Sequence, residues 1–471
     1  RKVIPMLSQQ AMQDRYQRNI VFGVRVSLYD GEDSLAAIIG AINAADARCG
    51  IIDLAEERHG CVIYDLQVFT TGDEQMAGLS TAIEAIEGVD LIEVADMAME
   101  LHRGGSTVVE SRVPIESNTD LRVVYTPGVA RVCLAIKDDP ELAREYTGIG
   151  NKIAIVTNGT AILGLGDIGC VAGLPVMEGK AAIFAEFAGV SAEPVLIDTH
   201  DPDEFIHVME KIACGYGAIQ VEDVKAPECF EITRELDKRL SIPVLHDDQH
   251  GTATIVLAGL YSALKKTDKK MEDMTTAIIG AGAAGTAIAD LLIAAGVPDV
   301  VLVDSVGILH RGRTERMNPE KDALVERTNK ENISGSLADA MKGRELFIGV
   351  SQPNIVTQDM VRSMAPNPIL FPLANPVSEI SKDDALAAGA AVYADGRMMN
   401  NAIAYPGLFR GAMESGAEKF TMEMLMAAAE TLAGIVPENE LLPEMMDPET
   451  HMAVVDAVKQ AAEIPDGRPV Q

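Results

Sequence analysis

Residues Thr275 to Asp304 read TTAIIGAGAAGTAIADLLIAAGVPDVVLVD, and the fold turns on this stretch. A short apolar run predicts a strand, Gly280-x-Gly282-x-x-Gly285 follows it, an Ala/Ile/Leu-rich helix comes next, and a second strand closes on Asp304. Strand, glycine turn and helix in that order form the βαβ unit of a Rossmann-type, doubly wound parallel sheet. Each glycine has a steric reason. Gly280 permits the tight turn, Gly282 lets the backbone approach a pyrophosphate, and Gly285 lets helix and strand pack closely. The helix start at Ala283 and Ala284 offers N–H groups to the phosphates of a dinucleotide. Asp304, about 24 residues past Gly280, is placed to accept hydrogen bonds from a ribose hydroxyl and would repel a 2′-phosphate, which favours NAD. A capping or surface role for Asp304 is the alternative, and the nearby Arg311 and Arg313 leave NADP open.

A second match, Gly164-Leu-Gly166-Asp-Ile-Gly169, follows the strand-like residues 153–156 and 161–163. The segment after it reaches Gly173-Leu174-Pro175, where a proline should interrupt a helix. We expect a structural glycine turn beside the active cleft, with amides able to meet a substrate carboxylate, and not a second dinucleotide site.

The rest of the chain fits an α/β protein. Its 471 residues suggest about three domains. With 48% hydrophobic and 23% charged residues, disordered and fibrous classes are excluded. Acidic residues outnumber basic ones 71 to 39, and a net charge of −32 would repel a phosphate backbone or an anionic membrane, so neither nucleic acid nor membrane is an expected partner. Six scattered cysteines without a CxxC pair point to a reduced, cytoplasmic setting. The opening RKVIPMLSQQAMQDRYQRN lacks the apolar core of a signal peptide.

Residues 19–98 alternate strand and helix signals. Val24, Val26 and Leu28 interleave with polar neighbours, Leu35, Ile38, Ile39 and Ile42 recur at helical spacing, and so do Met76, Leu79, Ile83 and Ile86. Strands at 51–54, 64–69 and 91–95 complete a β-α-β-β-α-β order, the ferredoxin-like α+β sandwich. Together with the Asp30-Gly31 turn, this order resembles ACT regulatory domains, which bind small effectors; a dimerisation module without ligand has the same topology. Polar sequence at 102–120 then breaks the periodicity, so a boundary falls near residue 100. We expect a catalytic α/β domain over 105–250, a Rossmann domain over 251–440 and a helical segment over 441–471.

Two acidic pairs stand just beyond strand-like runs: Glu222-Asp223 after Ala218 to Val221, and Asp247-Asp248 after Ile242 to Leu245. Ligands bind at such strand ends in α/β sheets. Adjacent carboxylates repel, so a cleft holding them calls for a cation, and oxygen donors suit Mg²⁺ or Mn²⁺. Spacing alone leaves chance pairing open in a chain with 71 acidic residues.

Longer motifs carry a resemblance. Val124 to Ala130 (VYTPGVA), Leu163 to Gly169, Pro175 to Lys180 (PVMEGK), Glu222-Asp223, His246 to Ala253 (HDDQHGTA), Phe347 to Ser351, Leu373 to Val377 (LANPV), and Asn400-Asn401 with Tyr405-Pro-Gly407 resemble, in order and spacing, malic enzymes of the small bacterial type. The resemblance covers roughly residues 105–460. It implies metal-dependent oxidation of malate with NAD(P)⁺ and decarboxylation to pyruvate in a homo-oligomer, a homodimer or larger. It also implies Glu222, Asp223 and Asp248 as metal ligands, Lys180 as general base, Tyr125 as proton donor and Asp247 as an orienting carboxylate. Asn375, Asn400 and Asn401 would contact substrate, with Asn375 also near the nicotinamide. His246 and His250 fall outside the ligand set and are expected to be structural.

Two features depart from the family pattern. Residues 393–400 are shorter than usual before the paired asparagines, and Ala161 stands where the large eukaryotic type carries a substrate-binding arginine. The anchor for malate's distal carboxylate is therefore left to the Gly166–Gly169 amides or to a second subunit. Competing readings are a dehydrogenase that stops at the keto acid and a nucleotide sensor without chemistry.

Overall fold

A computed structural model of the chain describes residues 20–29, 32–58, 60–162, 165–375, 377–464 and 467–470. The opening residues 1–19, the Asp30-Gly31 turn and Leu163-Gly164 of the second glycine match lie outside them. The chain divides into two compact units, residues 1–106 and 107–471.

The first unit has the expected β-α-β-β-α-β order. Strands β1 (Ile20–Leu28), β2 (Arg48–Arg58), β3 (Cys61–Thr70) and β4 (Val89–Asp96) alternate with helices α1 (Glu32–Ala44) and α2 (Asp73–Glu84). The sheet order is β2-β3-β1-β4, and every pairing is antiparallel. Period-two alternation sends Val24, Val26, Leu66 and Val68 to one face, where Ile38, Ile42, Met76, Leu79 and Ile83 bury against them. The opposite face is polar, with Arg25 directly across from Asp65 and a 2.7 Å ion pair between them.

The second unit holds two parallel sheets. In the first, β5 (Lys152–Thr157), β6 (Ser191–Leu196), β7 (Ala218–Val221) and β8 (Val244–His246) take the order β6-β5-β7-β8. Its crossovers are α3 (Cys170–Ala188), α4 (Pro202–Ile212) and α5 (Glu228–Arg239). Helix α6 (Thr252–Thr267) leads into the second sheet, whose strands β9 (Thr275–Ile279), β10 (Asp299–Val303), β11 (Leu346–Gly349), β12 (Ile369–Pro372) and β13 (Val392–Tyr393) take the order β10-β9-β11-β12-β13. Helix α7 (Ala283–Ala294) joins β9 to β10. Strand order reverses between β5 and β7 in one sheet and between β9 and β11 in the other, which opens a crevice at the carboxyl ends of each pair.

Two sequence readings need correction. Pro175 does not interrupt a helix: α3 runs through it. Gly173, Met177, Ala181, Phe184 and Ala188 form a buried stripe at helical spacing, and its burial outweighs one backbone hydrogen bond lost near the helix start. Residues 161–162 form only an isolated bridge, Ile162 to Gly166, and not a strand. The helical segment expected over 441–471 holds α10 (Pro448–Ala462), which packs against α8 (Tyr405–Ser415), α9 (Met422–Gly434) and α3. Among the described residues no helix is long and apolar enough to cross a membrane.

Helix α8 meets α10 through glycines one turn apart. A Cβ on Gly407 would stand 2.7 Å from Val454 Cβ, and one on Gly411 would stand 2.7 Å from Val458 Cβ. In an exposed helix Gly→Ala gains about 1 kcal/mol, but overpacking a tight contact costs about 1–3 kcal/mol. Gly411→Ala should therefore lower the thermal unfolding midpoint by about 2 °C or more. Gly434→Ala, where no atom lies within 4 Å of the added carbon, should not.

Candidate active site

Strands β7 and β8 end side by side, with Val221 paired to His246. The chain leaves β7 through Glu222-Asp223 and β8 through Asp247-Asp248, so both acidic pairs reach the carboxyl edge of the first sheet. Asp223 holds φ 51°, a left-handed conformation that costs a residue with a side chain about 1 kcal/mol or more and that concentrates at functional sites. Beyond β8 the backbone makes one π-helical turn, Asp247–Gly251, before α6. The turn is tight: a Cβ on Gly251 would lie 1.9 Å from Asp247 Oδ1, so only glycine fits without moving that carboxylate.

Lys180 comes to these strand ends from the middle of α3. Its Nζ stands 2.5 Å from Asp247 Oδ2 and 2.8 Å from Glu222 Oε1, and 4.8 Å from the centre of the Tyr405 ring. Asn401 Nδ2 donates to the same Asp247 oxygen at 2.9 Å, and Gln220 Nε2 donates to Glu222 Oε2 at 2.6 Å. Burial pulls the Lys180 ammonium down, but the Asp247 and Glu222 carboxylates outweigh it and hold the group well above its ordinary range. Burial pushes the Glu222 carboxyl up, with Lys180 opposing and the other three acids adding to the rise. Asp247 is likewise raised by burial against the pull of Lys180.

Carboxylate oxygens of Glu222, Asp223 and Asp248 lie within 4.8 Å of one another. Four carboxylates against one lysine leave an excess of negative charge in a place where Glu222 and Asp223 are nearly inaccessible to water. An all-oxygen donor set with that excess fits Mg²⁺ or Mn²⁺. His246 and His250 are buried beside it; burial pushes His246 down, and burial with the neighbouring His246 takes His250 down to about 4, so both imidazoles are neutral at pH 7.

The second crevice has the sterics of a nucleotide cradle. Gly280 holds φ 111°, and a Cβ on it would stand 2.5 Å from the Val350 carbonyl at the end of β11. A Cβ on Gly285 would stand 1.8 Å from the Gly280 carbonyl, whereas the space beside Gly282 is open. Helix α7 starts at Ala283 with no side-chain cap, so its first N–H groups face that open space without a side-chain partner. Glu379, fully buried, accepts from the backbone N–H of Ser351 at 2.9 Å and of Ala374 at 3.1 Å, which ties together the loops leaving β11 and β12.

The sequence-derived residues fall into two sets. Lys180, Glu222, Asp223, Asp247, Asp248 and Asn401 form one cluster. Asn375 is exposed at the end of β12, and Asn400 turns its side chain back to cap the next turn, accepting from Ala402 N at 2.9 Å. Tyr125 caps the short helix Asn118–Val124, is 66% exposed, and makes no hydrogen bond to the cluster among the described residues. Gly166 and Gly169, with φ 81° and 83°, make the turn into α3. Asp304 follows the second strand of the unit, and its Oδ2 takes Arg313 Nη2 at 2.5 Å and Lys321 Nζ at 2.7 Å. Burial alone would raise it, but those two cations hold its carboxyl down at about 2. Sequence reasoning missed Gln220, Tyr405 and Glu379. The available signals were a glutamine inside an apolar strand run and a glutamate closing the LANPVSE segment.

The family domain described as malic enzyme, N-terminal domain, matches residues 106–237, and the one described as malic enzyme, NAD binding domain, matches residues 249–399 and 397–464. The NAD-dependent malic enzyme of Geobacillus stearothermophilus is 42% identical over 435 residues, covering 91% of this chain and 90% of that protein. The bifunctional malic/malolactic enzyme of Bacillus subtilis is 43% identical over 79% of this chain and 93% of its own length. Among solved structures, the NAD-dependent malic enzyme from Thermotoga maritima superposes with a TM-score of 0.74 at 40% identity, covering 77% of this chain and 98% of that one.

If the three carboxylates hold a dication, Mn²⁺ at about 100 times its dissociation constant should add about 2.7 kcal/mol to the stability of the folded chain. The unfolding midpoint with and without Mn²⁺ measures this. Asp248→Asn should lose most of the increment, and an undiminished Mn²⁺ response in that variant would remove Asp248 from the ligand set.

Proposed function

The chain belongs to the malic enzyme family, and from that premise we propose how its residues divide the oxidation and decarboxylation of malate to pyruvate and CO₂, with reduction of NAD(P)⁺. The observation that carries the assignment is Lys180 Nζ, held at 2.5 Å from Asp247 and 2.8 Å from Glu222 beside three converging carboxylates. Lys180 is the general base for the C2 hydroxyl, Asp247 and Asn401 fix its direction, and Glu222, Asp223 and Asp248 are the metal ligands. A bound Mg²⁺ or Mn²⁺ supplies Lewis-acid polarisation of the C2 oxygen, and bound NAD(P)⁺ supplies the hydride acceptor. Without a cation, Glu222 and Asp247 hold Lys180 protonated; once Glu222 is engaged as a ligand, its pull on Lys180 weakens and the amine can enter the reaction neutral. The Tyr405 ring covers the base and keeps water from it. Oxidation leaves a β-keto acid, and loss of its distal carboxylate as CO₂ requires a proton at C3, for which Tyr125 is the donor. Asn375, Asn400 and Asn401 can pair with substrate carboxylates without adding charge.

Two further assignments complete this reading. Val108, Val109, Val123 and Leu134, all exposed in the sequence stretch that also carries Tyr125, supply apolar surface that supports a homo-oligomer. In the first unit a cavity of about 270 Å³ on the open sheet face, lined by Arg25, Asp65, Gln67 and Glu93 among others, supports a small-effector module of the ACT-like kind.

Metal-dependent, stoichiometric formation of pyruvate and reduced cofactor from L-malate, abolished by EDTA, tests the reaction. Lys180→Ala should lower malate oxidation by about 10²- to 10⁴-fold and spare much of the decarboxylation of added oxaloacetate. Equal loss of both activities would sink that division of labour. Deleting residues 1–106 should leave turnover within about threefold and abolish any effector response, since the family match begins at residue 106. A loss of turnover beyond about tenfold would overturn the reading of the first unit as an added module.

A further inference from the structure

This inference rests on the reading of Glu222, Asp223 and Asp248 as ligands of a dication, and it concerns which dication they select. It starts one step back along β7. Period-two alternation puts residues 220 and 222 on the same side of a strand, and the sheet ladder carries past Val221, since Glu222 N donates to the Val156 carbonyl at 2.9 Å. Glu222 is therefore held by sheet backbone, with the Gln220 side chain against its own.

Gln220 occupies an unfavourable position for an amide. Strand β7 lies between β5 and β8, Gln220 pairs with Ile155 on one side and Leu245 on the other, and its side chain is sealed from water. Its Nε2 donates to Glu222 Oε2 at 2.6 Å, while its Oε1 has no hydrogen-bond partner among the described residues. A buried carbonyl left unsatisfied is destabilising, and methionine, of the same reach, would not carry that penalty. What the amide does achieve is to fix one oxygen of Glu222. It cannot flip without setting its own oxygen against the carboxylate.

The two oxygens of Glu222 are thus held in different ways. Oε1 meets Lys180 Nζ at 2.8 Å, and that ammonium also has Asp247 at 2.5 Å, so Oε1 can pass from Lys180 to another cation while Lys180 keeps a partner. Oε2 stays with a neutral amide built into the centre of the sheet. Dications differ in what they ask of such a group. Ca²⁺ gathers about six to eight oxygens and readily takes both oxygens of one carboxylate, whereas Mg²⁺ and Mn²⁺ keep a compact octahedral shell.

We propose that Gln220 is a specificity-determining residue for the metal: by keeping Glu222 Oε2 it leaves Glu222 a single oxygen to offer, which suits Mg²⁺ or Mn²⁺ and disfavours Ca²⁺. Gln220 acts through Glu222, so it is a positioning residue and not a ligand.

The test is direct metal binding to the full-length chain, with free Mn²⁺ read by its electron paramagnetic resonance signal and Ca²⁺ titrated in to displace bound Mn²⁺. In the wild type the dissociation constant for Ca²⁺ should exceed that for Mn²⁺ by more than about tenfold. Gln220→Met removes the donor and the orphaned acceptor together, and should narrow that gap by about fivefold or more. Gln220→Asn, whose amide falls a methylene short of Glu222, should narrow it in the same direction and serves if the first variant does not fold. Weakening of both ions by the same factor, the mark of a merely structural role, would overturn the assignment to Gln220, and so would an unchanged ratio. Wild-type Ca²⁺ binding as tight as that of Mn²⁺ would overturn the selectivity and leave the metal site standing. No binding of Mn²⁺ to the wild type would overturn the proposal together with the ligand set beneath it.

Discussion

Four carboxylates, three of them buried, cannot share the ends of two adjacent strands without positive charge among them, and Lys180 is the cation that meets Glu222 and Asp247 there. Buried acids left alone would take up protons and cease to be ligands. The ion pairs add little net stability, because desolvation offsets much of their attraction, but either partner alone would be costly. Much of the surrounding architecture follows. Helix α3 must run unbroken past Pro175 to deliver the lysine, and the turn after β8 must contain Gly251 so that Asp247 can face it. Gln220 takes the second oxygen of Glu222, and Asn401 joins Lys180 on one Asp247 oxygen, neither adding charge. The charge still unbalanced at Glu222, Asp223 and Asp248 fits the cluster to a dication.

The two crevices follow one rule of parallel sheets, applied twice. Strands buried on both faces are held rigidly, so groups placed at their carboxyl ends inherit that precision. In the first sheet the ends of β7 and β8 carry charged side chains. In the second, the end of β9 carries glycine, since the Val350 carbonyl and the first turn of α7 leave no room for a Cβ at Gly280 or Gly285. One sheet ends in acids that fit a metal; the other ends in bare backbone that fits a phosphate.

What could be read from the sequence was what depends on local periodicity and local sterics. The alternation around Val24 to Leu28, the helical spacing of Met76, Leu79 and Ile83, the glycine spacing from Gly280 and the acids beyond two strand-like runs each act over a few residues, and each element formed as expected. The misreading at Pro175 came from weighing a local breaker without the buried stripe that overrides it. Asp304 is a related case: its position was legible, but its partners Arg313 and Lys321 reach it through a loop whose path no spacing rule supplies. Lys180 could be singled out only through motif resemblance, because 67 residues separate it from Asp247. The site that Tyr125 would serve cannot be read from the cluster either, since the tyrosine stands exposed on a short helix apart from it.

Buried acids in this chain are stabilised in three different ways, and the way matters for what each can do. Glu222 and Asp247 share an ammonium, so their charge can be redistributed when another cation arrives. Asp304 is locked by a guanidinium, an ammonium and two amides, which makes it a fixed strut. Among the described residues Glu379 has no cation on it: two backbone N–H groups, from Ser351 and Ala374, are set against burial that drives its carboxyl upward. Its neighbour Gly349 has no side chain to spare, since a Cβ there would fall 2.3 Å from the Glu379 carboxyl carbon. A carboxylate stitched to backbone amides transmits position and not charge, so Glu379 fixes the loops at the ends of β11 and β12 around the cradle, whereas at the acidic cluster Lys180 sets the electrostatics.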